Sequence, residues 1–543
     1  METGSTMERR LLSGDEAVAA AALDGGVHLG TGYPGTPSTE ILENFSRLGG
    51  RAQWAPNEKV ALEVGLGAAY GGARALVTMK HVGVNVAADP LFTAAYTGVS
   101  GALVVVSADD PGMASSQNEQ DNRHYAVAAA LPMLEPADSQ EAYDLALAAF
   151  ELSERFKLPV LLRMTTRVCH GKSIVTRSAP VAAKAPAFER DIVGRVMIPA
   201  YARPAHRKLR RKLEELQAFA EATPLNVGVA GDRKLGIVTA GVTALHAREA
   251  APGASFLELK TVYPLPLEKI RAFAASVERC LVVEEGDPFL ADLIRAAGIA
   301  VESKAEPFRF GELNVDRVRR IVARDTSPEP VLPKGKPPML CEACPYHPVY
   351  GALRKHDCIV AGDIGCYTLG VLPPYQGMDT CVAMGASLGV GLGLRHVLPE
   401  KDAKRVVSII GDSTFIHTGV NGLIEMVYNP PATGHVLIVL DNGTTAMTGQ
   451  QEHPGTGRTL EHEQTGRVSI EGLGRAVGVK NVHVVDPVAD PAGFEKLLVD
   501  GLAKPELSMI VARRACILAA ADIRKLEKAA DDACAACAGA ADA

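Results

Sequence analysis

Tryptophan occurs once in the 543 residues, and aromatic residues together make up 5%. Cores this poor in rings are filled by Ala, Val, Leu and Ile, and the 52 Gly and 34 Pro suit an α/β enzyme with many tight turns. An uninterrupted apolar stretch of about 18 residues or more is missing, so no transmembrane helix is expected. The opening METGSTMERR has no apolar core, so no secretory signal is expected, and Met7 is an alternative natural start. A basic excess is missing as well. Against 56 Lys and Arg stand 63 Asp and Glu, a formal net charge of −7, which argues against a nucleic-acid-binding protein. Ten cysteines are too few for a disulfide scaffold, and a cytoplasmic setting is expected. They are not scattered evenly: all but Cys169 and Cys280 lie beyond residue 340, which favours a metal or redox role there.

With 47% apolar and 22% charged residues, each domain can bury a core, and about 150 residues per domain implies about three to four domains. Residues 1–185 alternate helix and strand. Ser13-Gly14-Asp15-Glu16 reads as a capping box before EAVAAAAL. GVHLGTG, ARALVTMK, GALVVVSADD and FKLPVLLRMT read as buried parallel strands. Residues 186–233 are polar and basic and read as a helical linker, its basic run a solvated helix face or a contact for phosphate or a partner. A second α/β segment, 234–326, has strands LGIVTAG, SFLELK and CLVVEE, and SPEPVLPKGKPP marks its end. Residues 339–520 alternate again through IVAGDIG, VVSIIGD, HVLIVLDN and SMIVARR, before an Ala-rich tail, 521–543. The expected fold class is α/β, with doubly wound parallel sheets in the first and third segments.

The most specific stretch delivers Gly411-Asp412-Ser413 at the end of one strand and Asp441-Asn442-Gly443-Thr444 at the end of the next. Asp412 and Asn442 are separated by one strand-helix-strand crossover, so they reach neighbouring strand tips, where open α/β sheets bind ligands. A carboxylate, an amide oxygen and a backbone carbonyl are the hard donors Mg²⁺ prefers, with diphosphate oxygens completing the octahedron. Upstream, Gly32-Tyr33-Pro34-Gly35-Thr36-Pro37-Ser38 fixes a tight turn that presents a threonine hydroxyl. Near the start of a helix stand two competing glutamates, Glu58 and Glu63.

The GDS…N pattern resembles the motif of thiamine diphosphate enzymes. That resemblance implies Asp412 and Asn442 as side-chain Mg²⁺ ligands, Thr444 as a backbone ligand, and Gly411 and Ser413 at the cofactor. Thiamine chemistry also needs a carboxylic acid against the aminopyrimidine ring. An ungapped comparison with pyruvate:ferredoxin oxidoreductases puts their catalytic glutamate on Glu58, ahead of Glu63. His81 falls where some thiamine decarboxylases carry a catalytic histidine, or is a structural polar residue. YPGTPS resembles the YPxTPS loop of 2-oxoacid:ferredoxin oxidoreductases and implies that Thr36 approaches substrate and cofactor.

Together, YPGTPSTEI, NEKVALE, TMKHVGVNVAADP, CEACPYH, GDIGCYTLG and GDS…LDNGTTAMTGQ resemble the large subunit of indolepyruvate ferredoxin oxidoreductases over nearly the whole chain through about residue 520. The implied architecture is two thiamine-diphosphate-binding-type domains, 1–185 for the pyrimidine and 339–520 for diphosphate and magnesium, separated by a transketolase C-terminal-like domain. The implied activity is oxidative decarboxylation of an arylpyruvate with coenzyme A, electrons leaving singly through iron-sulfur clusters. By resemblance to the pyruvate enzymes, Cys341, Cys344, Cys366 and Cys516 would ligate a [4Fe–4S] cluster. Buried free thiols or a structural zinc are the other readings of the same residues. The resemblance further implies a smaller partner subunit and a homodimer of this subunit within a hetero-oligomer. Family members usually continue into a ferredoxin-like domain with two CxxCxxCxxxCP runs. This sequence ends in a CAAC, Cys534 and Cys537, so a separate iron-sulfur subunit or a docking ferredoxin-type carrier is expected. A non-oxidative thiamine decarboxylase or lyase, and a non-catalytic paralogue, are the competing functions.

Overall fold

The computed structural model describes residues 8–330, 335 and 338–528; the Cys534 and Cys537 tail lies outside them. The chain forms two compact units, the first ending at Pro330.

The larger sheet of the first unit has seven strands, in the order Thr261–Tyr263, Met133–Leu134, Val160–Thr165, Ala102–Asp109, Arg74–Lys80, Leu29–Gly32 and Ala52–Trp54. Every neighbouring pair is parallel except the first. Ala102–Asp109 and Val160–Thr165 are buried at every position, as continuous Val/Leu runs are when helices cover both faces. The capping box forms as read. Ser13 Oγ accepts from Glu16 N at 3.2 Å and Glu16 Oε2 accepts from Ser13 N at 2.7 Å, opening the helix Gly14–Asp24. Leu29–Gly32 has the next strand in sequence on one side and Arg74–Lys80 on the other. The winding therefore reverses between these two strands, and a crevice opens at their carboxyl ends.

Residues 186–233 are more than a linker. The helix Pro199–Ala222 buries Leu209, Leu216 and Ala220 while its basic positions stay largely exposed, and Val227–Val229 then edges a second sheet antiparallel. That five-stranded sheet runs Glu302–Ser303, Cys280–Val283, Asp232–Ala240, Ala254–Leu259, Val227–Val229. Segment 234–326 also lends Thr261–Tyr263 to the seven-stranded sheet, so the first three sequence segments share one compact unit. A buried ion pair, Arg123 to Glu284 at 2.9 Å, links the two sheets of this unit, and Arg163 to Asp109 at 2.8 Å joins neighbouring strands of the larger one. Arginines this deep are tolerated only with such partners.

The second unit is a six-stranded, all-parallel sheet in the order Thr380–Cys381, Ile359–Gly362, Val406–Gly411, His435–Asp441, Leu507–Arg513, Asn481–Val485. Apolar cores cover both faces. Here the winding reverses between Ile359–Gly362 and Val406–Gly411, which places the residues after Gly362 and Gly411 at a second crevice. The edge strands Asn481–Val485 and Thr380–Cys381 have no clear signature in the sequence, because they are short or only half buried.

Candidate active site

In the second unit, strand Val406–Gly411 delivers Asp412 fully into the protein. One carboxylate oxygen, Oδ1, accepts from Ser413 N at 2.8 Å. The other, Oδ2, accepts from Gly443 N at 2.8 Å and Asn442 N at 3.1 Å. Burial pushes this carboxyl up, but His453, whose Nε2 lies 3.3 Å from Oδ2, and the backbone donors of Ser413 and Gly443 outweigh it and hold the group below the usual carboxylate range. The carboxylate is thus ionised and aimed at the tip of the neighbouring strand.

Asn442 meets Asp412 through its backbone, while its side chain donates from Nδ2 to Tyr346 Oη at 2.6 Å and accepts Thr444 N on Oδ1 at 3.0 Å. Ser413, Asn442 and Thr444 are buried with Asp412. Asp363, which sequence reading passed over, holds the other side of the crevice. It accepts backbone N–H from Ile364, Gly385 and Ser387 at 2.8–2.9 Å. Asp363 sits inside the GDIGCYTLG motif but was not singled out there, and His453 carries no motif of its own.

Cys341, Cys344, Cys366 and Cys516 line one small cavity with Tyr346 and Asn442. Cys341 and Cys344 form a turn closed by Cys344 N to Cys341 O at 2.9 Å, and His347 Nε2 lies 2.8 Å from the Cys341 carbonyl. Cys366 follows strand Ile359–Gly362, and Cys516 follows strand Leu507–Arg513. The Cys516 N–H donates to the Asn442 carbonyl at 3.0 Å, so the thiol cavity and the Asp412–Asn442 tip share one residue. Burial, with the neighbouring sulfurs adding to it, pushes the Cys344 and Cys366 thiols up to about 11.

In the first unit, Glu58 opens the helix Glu58–Tyr70 and is buried. Asn57 caps that helix, its Oδ1 accepting from Val60 N at 2.9 Å. Glu63 lies on the surface in an ion pair with Lys59. His81 is buried at the end of strand Arg74–Lys80, where the winding reverses. Neither ring nitrogen makes a hydrogen bond of good geometry, and burial, only partly offset by the Asp109 charge, lowers its pKa and favours the neutral ring. Its carbonyl is pinned by Gln120 Nε2 and Asn122 Nδ2, each at 3.0 Å. The Gly35-Thr36 turn packs on the same strand end: a Cβ on Gly35 would stand 2.9 Å from Lys80 Cβ. Thr36, half-buried, lies in that turn. Glu58, Thr36 and His81 therefore gather at the crevice of the first unit.

Gly83 keeps Glu58 in place. A methyl there would sit 2.5 Å from Glu58 Oε1 and 2.6 Å from its Cγ, so the Glu58 side chain would have to shift. Gly83→Ala is expected to lower kcat at least about tenfold while cofactor affinity holds, a split read by steady-state kinetics beside calorimetry.

Residues 20–214 match the family described as "Pyruvate flavodoxin/ferredoxin oxidoreductase, thiamine diP-bdg", and residues 363–512 match "Thiamine pyrophosphate enzyme, C-terminal TPP binding domain". The indolepyruvate oxidoreductase subunit IorA of Archaeoglobus fulgidus is 39% identical over 96% of this chain and 88% of its own length. The chain belongs to the IorA family. The IorA of Methanothermobacter thermautotrophicus is also 39% identical, over 96% of this chain and 89% of that protein. A 2-oxoglutarate:ferredoxin oxidoreductase from Magnetococcus marinus shares the fold, with a TM-score of 0.50 at 19% identity over 59% of this chain and 65% of that one. As an IorA-family chain with both thiamine diphosphate-binding domains, the protein is a catalytic subunit of the thiamine diphosphate-dependent 2-oxoacid:ferredoxin oxidoreductases. That placement disfavours the non-oxidative decarboxylase. No helix among the described residues is long and apolar enough to cross a membrane.

Proposed function

We propose that this subunit oxidises an arylpyruvate, indolepyruvate foremost, with coenzyme A, releasing the aryl-acetyl thioester, CO₂ and two electrons. Asp412, Asn442 and the Thr444 carbonyl hold Mg²⁺, and Gly411 and Ser413 meet the diphosphate. The buried set of one ionised carboxylate, one amide and backbone groups is the hard-oxygen surround that ion prefers. Cys341, Cys344, Cys366 and Cys516 hold a [4Fe–4S] cluster. When bound, thiamine diphosphate supplies an electron sink for decarboxylation and the cluster supplies a one-electron acceptor.

The protein's own groups do the rest. Glu58 keeps a proton in exchange with the aminopyrimidine. Thr36, presented by its proline-flanked turn, positions the substrate carboxylate by hydrogen bonding. His81, held neutral by burial, accepts or donates a hydrogen bond without adding charge. Partners of this reading are the smaller subunit of the oxidoreductase, a second copy of this chain, and a ferredoxin-type carrier or iron-sulfur subunit.

One observation carries the proposal: Cys516 and Tyr346 both hydrogen-bond Asn442, so the thiol cavity is built onto the magnesium side of the site. Anaerobically purified protein, with its smaller partner, is expected to hold about four irons and four sulfides per chain at this cavity. Indolepyruvate with coenzyme A should bleach the visible absorbance. Cys366→Ala should lose that absorbance and at least ~90% of electron delivery to ferredoxin, a tenfold effect worth about 1.4 kcal/mol. Undiminished electron delivery by Cys366→Ala would overturn the cluster assignment.

A further inference from the structure

Asp15, Glu40 and His170 stand apart from the residues assigned above, in the first unit. Asp15 lies in the first turn of Gly14–Asp24, Glu40 in the first turn of Thr39–Arg47, and His170 ends the short helix Thr166–His170. These are three separate stretches of chain brought together by packing. One oxygen from each carboxylate and one ring nitrogen all lie within 4.8 Å of one another.

Asp15 is 1% exposed, and neither of its oxygens makes a hydrogen bond of good geometry; Glu40 Oε2 is likewise buried without one. A buried carboxylate whose neighbours are a thiol, Cys169, and a second carboxyl, Glu40, costs several kcal/mol, roughly, to keep ionised. Burial first, with the Glu40 charge reinforcing it and the nearby Cys169 thiol opposing, drives the Asp15 carboxyl well above its ordinary range. Two helix N-termini relieve part of this charge. The nearby lysine does not: Lys172 Nζ is engaged 3.5 Å from Glu16. Either a shared proton or a bound cation balances the two carboxyls.

We propose that Asp15, Glu40 and His170 bind a divalent first-row transition-metal ion, separate from the magnesium of the thiamine site. Two carboxylates and one imidazole on one side of an ion, with the remaining positions open, is a donor set suited to Mn²⁺, Fe²⁺ or Zn²⁺. Three ligand atoms about 2.1 Å from one ion and on one side of it stand roughly 3.0–3.4 Å apart, so from a spread of up to 4.8 Å the side chains draw together as the ion binds. His170 is exposed and gives the ion its route in. Glu40 comes four residues after Thr36, and Thr39 Oγ1 accepts from Gly35 N at 3.0 Å, so the ion would anchor the helix that follows the YPGTPS turn. Its role is positional, and it takes no part in electron transfer.

The test uses Mn²⁺, which avoids thiolates, on the full chain saturated with thiamine diphosphate and Mg²⁺. Electron paramagnetic resonance titration should count one more bound Mn²⁺ per chain in the wild type than in His170→Ala or Asp15→Asn. Spin-echo spectra should show an imidazole nitrogen on that ion, lost in His170→Ala, and Mn²⁺ should raise the wild-type Tm more than either variant's. Equal counts in all three proteins overturn the proposal. So does an Asp15→Asn protein that melts higher with an unchanged Mn²⁺ count, because a proton shared between the carboxyls then explains the cluster. His170 lies at the surface, so its variant folds even where Asp15→Asn does not. Iron content of the cysteine cavity is unaffected by either result.

Discussion

Asp412→Ala is expected to lower thiamine diphosphate affinity in the presence of Mg²⁺ by about 10²- to 10³-fold, or about 3–4 kcal/mol. Two losses add. The carboxylate proposed to ligate the ion disappears, and the N–H groups of Ser413, Asn442 and Gly443 lose their common acceptor inside a buried site. Each donor left unsatisfied costs about 1–3 kcal/mol, so the strand tips splay as well. Asp412→Asn keeps the shape but removes the charge, and should fall between wild type and Ala. Isothermal titration calorimetry with thiamine diphosphate and Mg²⁺ measures the series. Wild-type affinity in Asp412→Ala would remove the metal from this tip and leave the motif a pair of ordinary βα turns.

Glu58→Gln should cost about 10²- to 10⁴-fold in kcat, the range of a lost general acid-base group, or roughly 3–5 kcal/mol. Cofactor affinity should stay within about threefold, because glutamine keeps the volume and one hydrogen bond. Glu63→Gln is the control. It is exposed and paired with Lys59, so its kcat should remain within about twofold of wild type. Single-turnover decay of indolepyruvate separates chemistry from product release in this comparison. More than a tenth of wild-type turnover in Glu58→Gln, or a large loss in Glu63→Gln, would reverse the assignment.

The two glutamates also show how far sequence reasoning carries. Five helical residues turn the chain by about 140°, so Glu58 and Glu63 cannot face the same way. A helix rich in Ala and Gly, such as EKVALEVGLGAAY, has no strong polar face, and which side is buried was left open by the sequence. Packing settled it: Gly83 comes close enough to Glu58 to leave no room for a methyl. The central strands were plain in advance because continuous apolar runs bounded by turns have few other uses. The short edge strands, and Thr261–Tyr263 joining a sheet from another segment, have too few residues for a periodic signal.

What the sequence by itself determined is the local chemistry: a Gly-Asp-Ser tip, an Asn one crossover later, a proline-bracketed threonine, a CxxC pair and two cysteines just after predicted strands. Spacing along the chain suffices there, since each motif is built by one turn or one neighbouring strand. Tertiary structure alone decided what depends on contacts between distant segments. Cys516 donates to the Asn442 carbonyl, His453 comes up to Asp412, and Asp15 is buried against Glu40 and His170. The physical reason is that burial and charge crowding belong to a packed neighbourhood, and no periodicity in the chain records which residues will share one.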